Sequence, residues 1–186
     1  MTRYSLVAAA AFLAACSNAT TPVAESSAAG IQAAHRGHGS PTHKELSSDD
    51  LKAIAQVRQA TAKFHDIEVA KAAGYNVQFP AGCASSPEGG QGFHWINNGL
   101  VTDGEINLLE PELVMYEPMP GGKMRLVGVD YVVPYVEGST APTLLGRPYA
   151  HLEALGVWAI HIWAWAPNES GMFAPWNPAV SCENAG

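Results

Sequence analysis

Between Glu117 and Lys123 the chain reads Pro-Met-Pro-Gly-Gly, with runs rich in Val, Leu, Met and Tyr on either side. Proline sets the backbone for a reversal and the glycine pair accepts left-handed dihedrals, so residues 112–133 are predicted to form an antiparallel hairpin. No other stretch limits the fold as tightly. The same texture of short apolar runs broken by Gly, Pro and Asn begins after Gly74, and strands are expected at residues 75–79, 92–96, 112–117, 123–133 and 157–166. Upstream, Ser47-Ser48-Asp49-Asp50 supplies capping hydroxyls followed by first-turn acids. A broken apolar stripe through Leu51, Ile54, Ala55, Ala62, Phe64, Ile67 and Val69 then predicts one helix over 49–73, ending at Gly74. With 47% hydrophobic and 15% charged residues, the chain is composed for one core. The expected fold class is α+β: one long N-terminal helix packed on a mainly antiparallel sheet or small open β-barrel, with residues 49–186 as a single globular domain.

Strand parity bears on chemistry. Two histidines stand inside aromatic strands, His94 in Gly-Phe-His-Trp-Ile and His161 in Ile-His-Ile-Trp-Ala-Trp. Imidazole is the commonest metal ligand, and two strand histidines facing one cavity would make a site; each alone reads equally as a hydrogen-bonded core residue. If Glu117 pairs with Lys123, then Leu113, Met115 and Glu117 share a half-solvated face with Lys123, Arg125, Val127 and Val129. Asp130 then joins Val114, Tyr116, Leu126 and Gly128 on the other face, a carboxylate among apolar neighbours that needs a cation, donors or a metal. A register shift of one residue exchanges the two acids, so Glu117 and Asp130 both stand as candidates beside His94 and His161.

The N-terminus follows a different grammar. Arg3, the short apolar run 6–13 and Leu13-Ala14-Ala15-Cys16 resemble the signal peptide and lipobox of bacterial lipoproteins. That resemblance implies cleavage before Cys16, a diacylglycerol on its sulfur and, with Ser17 in place of aspartate, an outer-membrane anchor facing the periplasm or exterior. Residues 1–15 are thus expected to be a signal peptide. Residues 16–48, dominated at first by Ala, Ser, Thr, Gly and Pro, read as a flexible tether. Within it, His35, His38 and His43 form a local cluster that is either a weak auxiliary metal site or a solvated linker. In an exported chain the remaining cysteines, Cys83 and Cys182, are expected to close a disulfide worth about 4 to 5 kcal/mol in the chain-entropy picture. A Cys/His metal site is the competing reading, although neither cysteine sits in a CxxC spacing.

Other classes are weakened by what the chain does not contain. A net charge of −7 without a Lys/Arg run argues against nucleic acid as a partner. Nucleophile-elbow, Walker, dinucleotide and haem motifs are missing from the sequence. The ingredients of two histidines and a carboxylate on strands resemble cupin metal barrels, but the cupin His-x-His spacing is absent. His65 and Glu68 form one helical pair, in the reverse order of the Glu-x-x-His units of ferritin-like bundles. Met115, Met119 and Met124 would suit Cu(I) but equally fill core gaps. Trp158, Trp163, Trp165, Phe173 and Trp176 are either core or the floor of a pocket for a sugar or small hydrophobic ligand.

Residues 60–182, through Gly-Tyr-Asn-Val-Gln-Phe-Pro, Met-Tyr-Glu-Pro-Met-Pro-Gly-Gly and Met-Phe-Ala-Pro-Trp-Asn-Pro, resemble a family of small exported bacterial proteins. The resemblance implies no activity. Three functional readings follow: a lipoprotein binding Zn, Cu or Fe through the strand histidines and a carboxylate; a metal-dependent enzyme acting on a small substrate in an aromatic pocket; or a structural or interaction lipoprotein without a site.

Overall fold

The computed structural model describes residues 46–186. The signal peptide, Cys16, the tether up to residue 45 and His35, His38 and His43 lie outside the described residues, while Ser47 and Ser48, expected to be tether, instead cap and open the first helix. Helix α1 (Ser48–Thr61) starts from a capping box in which the Ser47 hydroxyl accepts from the Asp50 amide at 3.1 Å and the Asp50 carboxylate accepts from the Ser47 amide at 2.9 Å. The predicted single helix is not what forms. The Thr61 hydroxyl donates back to the Val57 carbonyl, a bond that competes with helical continuation, and the chain tightens into a 3₁₀ turn at Ala62–His65. Asp66 is then extended (φ −92°, ψ 111°) and caps a second short helix, α2 (Ile67–Ala72), through the Glu68 amide. The break turns Phe64 inward and lets its carbonyl accept the buried hydroxyl of Tyr116.

Strands β1 (Val77–Ser86), β2 (Gly89–Ile96), β3 (Leu113–Met119), β4 (Lys123–Pro134), β7 (Ala150–Leu152) and β8 (Val157–Ile162) build a six-stranded sheet in the order β1-β2-β3-β4-β8-β7, and every pairing is antiparallel. The sheet curls into a half-barrel. A separate two-stranded ribbon joins β5 (Thr143–Leu144) to β6 (Arg147–Pro148), and a short helix, α3 (Asn98–Asp103), follows β2. Strand β1 continues beyond Pro80, where a sequence reading would stop it, because it is an edge strand whose ladder skips from Gln78 to Cys83. No helix among the described residues is long and apolar enough to cross a membrane.

Alternation divides the sheet into two faces. Val114, Tyr116, Leu126, Val129, Tyr131, Ile160 and Ile162 pack against Ile54, Val57, Phe64 and Ala70 of the helical segment, and these residues form the main core. The buried hydroxyls of Tyr75, Tyr116 and Tyr131 donate to the carbonyls of Pro111, Phe64 and Leu108, so the tyrosine-rich core leaves these polar ends satisfied. On the opposite face, Ile96, Leu113, Val132 and Ala159 make one cluster, and Met115, Val127, Trp163, Ala166 and Val180 make another. Met115 extends over Gly128, where an added Cβ would lie 2.6 Å from the Met115 Cε and 2.7 Å from the Ile162 carbonyl oxygen.

The expected hairpin forms, with a different register. Glu117 faces Arg125 rather than Lys123, which pairs with Met119. Between the Tyr116–Leu126 and Met115–Gly128 pairs, Val127 has no partner on β3. This is a β-bulge, and the Val127 carbonyl instead accepts from the amides of Trp165 and Ala166 at 3.0 and 2.9 Å. Cys83 and Cys182 are bonded to one another across 99 residues.

Two stability measurements check this architecture. Replacing Cys83 and Cys182 together by alanine is expected to lower the unfolding free energy by about 4 kcal/mol in a urea titration, as a long closed loop requires; an unchanged midpoint would contradict it. Gly128→Ala, which drives a methyl into a backbone carbonyl, is expected to cost about 1–3 kcal/mol by the same titration.

Candidate metal centre

Three polar side chains meet on the face away from the helices. On β2, Phe93 and Trp95 alternate with His94 and Ile96; on β8, Ile160 and Ile162 alternate with Ala159 and His161. Asp130 of β4 pairs directly with His161 and with Leu113, and the bulge at Val127 puts it on this face rather than with Val114 and Tyr116. His94, Asp130 and His161 each offer a ligand atom, and these atoms lie within 4.8 Å of one another. The His161 Nε2 and Asp130 Oδ2 are 3.5 Å apart, and the two imidazole centroids are 5.8 Å apart with planes inclined at 65°. Trp163, nearly parallel at 17°, lies 6.2 Å from His161 by ring centroids.

All three side chains are buried, at 3, 4 and 8% exposure for His94, Asp130 and His161, yet their polar atoms are poorly served. His94 Nδ1 and Asp130 Oδ1 have no hydrogen-bond partner. A buried polar atom left in that state costs about 1–3 kcal/mol, so its presence calls for an explanation. Burial pushes the Asp130 carboxyl up to about 7, partly opposed by His94. It also pushes both imidazoles down to about 4, with Asp130 opposing the shift at His94. Near pH 6 the cluster is therefore held neutral, with Asp130 protonated and both histidines uncharged. Two imidazoles and a carboxylate are donors that Zn²⁺, Fe²⁺ and Cu²⁺ all accept, at bond lengths of about 2 Å. Beside them lies a cavity of about 60 Å³, bounded by Phe79 and Pro80 of β1 and by Leu152, Leu155 and Val157 at the other edge of the sheet. The cluster thus faces the open seam of the half-barrel.

The other candidates fall elsewhere. Glu117 forms an ion pair with Arg125 and accepts from the Ser181 amide at 2.9 Å, so it anchors the C-terminal segment and stands outside the histidine cluster. Cys83 and Cys182 are committed to their disulfide. His65 packs edge-on against Trp165 while Glu68 pairs with Lys71, which separates them. Met115 is buried core under Trp163 and Val127. Of the aromatics, Trp163 is buried at the site, whereas Phe173 and Trp176 line a second pocket together with His161.

Two further residues, Gln91 and Glu112, are not singled out by the sequence. Gln91 is the extra residue of a second bulge, since Ala84 pairs with Gly92 and Ser85 with Gly90. Gly92 permits it, with φ +83° and a backbone so close to the Tyr116 carbonyl that an added Cβ would lie 2.2 Å from the oxygen. Glu112, 1% exposed, accepts from the Val132 amide, and burial pushes its carboxyl up to about 7. Glycine at a positive dihedral was the one available hint for Gln91. No protein family, curated protein or solved structure matches this chain.

The raised Asp130 carboxyl fixes the sign of a stability test on metal-free protein. Its favourable contribution is complete below about pH 4 and is lost as pH rises through about 7. The histidine contributions run oppositely, complete above about pH 6.5 and lost as pH falls through about 4, but both proteins of the comparison carry them. Asp130→Asn is therefore expected to gain stability relative to the parent between pH 5 and 8 in metal-free urea titrations. A parent that becomes more stable relative to Asp130→Asn as pH rises would refute the assignment.

Proposed function

We propose that this chain is an exported, lipid-anchored protein of the cell envelope whose folded domain binds one transition-metal ion through His94, Asp130 and His161. The observation that carries the metal reading is the convergence of three buried donors within 4.8 Å, two of them with polar atoms that no protein group satisfies. Zn, Cu and Fe are the metals whose preferences this donor set meets. The lipoprotein part rests on the Leu13-Ala14-Ala15-Cys16 motif and its short apolar leader, and the outer membrane, facing the periplasm or exterior, is the compartment that Ser17 favours. The disulfide supports passage through an oxidising compartment.

A second reading, a metal-dependent enzyme, is favoured by one observation: three protein donors leave a coordination position, and the cluster borders a cavity of about 60 Å³. Bound there, an ion of this kind supplies Lewis acidity to a water or substrate oxygen. The chain's own residues would hold that group beside the apolar lining of Leu152, Leu155 and Val157, with Asp130 positioned beside His161.

Exported protein purified without an affinity tag is expected to bind one equivalent of metal, read by elemental analysis and by quenching of tryptophan fluorescence on Cu²⁺ addition. His94→Ala and His161→Ala should each lower affinity by more than about 100-fold, beyond what an outer-shell change costs, while Glu117→Gln leaves it unchanged. No bound metal and no thermal stabilisation by Zn²⁺, Cu²⁺ or Fe²⁺ would leave the structural reading. Because Asp130 must surrender a proton to ligate, affinity is expected to rise about ten-fold per pH unit from pH 5 to 6.5 and to level above about 7. Asp130→Asn should abolish that slope. Incorporation of labelled fatty acid, lost in Cys16→Ala, checks the anchor.

A further inference from the structure

Next to the metal centre lies a second pocket of about 380 Å³, within the size range of small-molecule sites. His161 and Gln91 line both this pocket and the cavity of the cluster, so one imidazole forms part of two adjoining walls. The second pocket is lined further by Phe173, Pro175 and Trp176 of the C-terminal segment and by Arg147 of β6.

Its charge is spent internally. The Arg147 guanidinium is bound through both terminal nitrogens to the Asp50 carboxylate, at 2.9 and 3.1 Å, donates to the Leu145 carbonyl and lies over the Phe173 ring at 4.1 Å. Arg147 is thereby neutralised as an anion clamp, and no carboxylate lines the pocket to attract a cation. The polar functions that remain are the His161 imidazole and Gln91, whose amide nitrogen donates to the Pro175 carbonyl at 2.7 Å, leaving its oxygen as an acceptor. Flat aromatic and proline walls with the Gln91 oxygen, one imidazole and no free charge complement a neutral ring bearing a hydroxyl.

We propose that this pocket binds a neutral hydroxyl-bearing aromatic molecule, a phenol by chemical class, with its ring against Phe173 and Trp176 and its hydroxyl towards Gln91 and His161. Its standing as the substrate site of a metal centre rests on the metal reading above; its occupancy does not.

Phenol is the probe, titrated by calorimetry and ligand-observed NMR into the exported protein with and without Zn²⁺. Benzoate and benzylamine serve as charged analogues. One phenol per chain is expected, with both charged analogues at least about ten-fold weaker because the pocket offers neither a free counter-charge. Ala150→Trp, on the exposed edge strand β7 at the pocket rim, should weaken phenol by at least about ten-fold while leaving the melting temperature and Zn²⁺ affinity unchanged. Trp176→Ala should also weaken phenol. His94→Ala should lose Zn²⁺ and keep phenol. Phenol binding no tighter than that of the charged analogues, or undiminished in Ala150→Trp, overturns the proposal. Absent phenol binding with intact Zn²⁺ binding overturns the pocket alone; phenol binding without binding of Zn²⁺, Cu²⁺ or Fe²⁺ upholds the pocket and removes the metal reading.

Discussion

One unpaired residue sets the character of the sheet. Val127 has no partner on β3, and every side chain beyond it on β4 is turned over relative to an unbroken ladder. Without the bulge, Asp130 would enter the tyrosine-rich core against the helices, where Tyr116 and Tyr131 already use their hydroxyls on backbone carbonyls. With it, the carboxylate joins two imidazoles on the opposite face. The bulge is stabilised locally because the Trp165 and Ala166 amides take up the Val127 carbonyl, and these belong to the segment that continues His161 and Trp163. The same few residues thus set the parity of β4 and fix where β8 leads.

A second bulge works in the same way on β2. It expels Gln91 from the ladder, and the side chain then reaches the Pro175 carbonyl, while Gly90 bridges to Asn177. The C-terminal segment is therefore held as if it were a further piece of sheet, fastened at Gly90, at Gln91, at Glu117 through Ser181, and covalently at Cys83. Glu117 is better understood through this anchoring than through any catalytic or ligating part. A buried carboxylate here is compensated by Arg125 and a backbone amide, in contrast to Asp130, whose Oδ1 has no partner.

Much of this was legible in the sequence, and the exceptions have physical causes. The five strand regions, the last of them ending at Ile162 rather than at 166, and the reversal after Glu117 follow from alternation and turn chemistry, and the cysteine pair follows from the two thiols left in the folded part. The candidate acids and histidines were also visible as polar residues in apolar runs. What alternation cannot report is a change of phase, so the face of Asp130 and the role of Gln91 waited on the two bulges. The helical segment was overextended because an apolar stripe continues through Phe64, while the local competition from Thr61 and Asp66 that ends α1 depends on side-chain hydrogen bonds. Strands β5, β6 and β7 are two or three residues long, too short for any period to register.

The disulfide has a further consequence, one of connectivity. Cys83 lies in β1 and Cys182 near the C-terminus, so β2 through β8 fall inside the covalent ring that the bond closes. The exposed stretch around Val136, which links β4 to the β5–β6 ribbon, is the kind of surface a protease would cut. Cleavage there opens the ring without releasing a fragment. Both pieces stay joined through sulfur, and the three residues of the cluster, on strands either side of the cut, remain parts of one molecule.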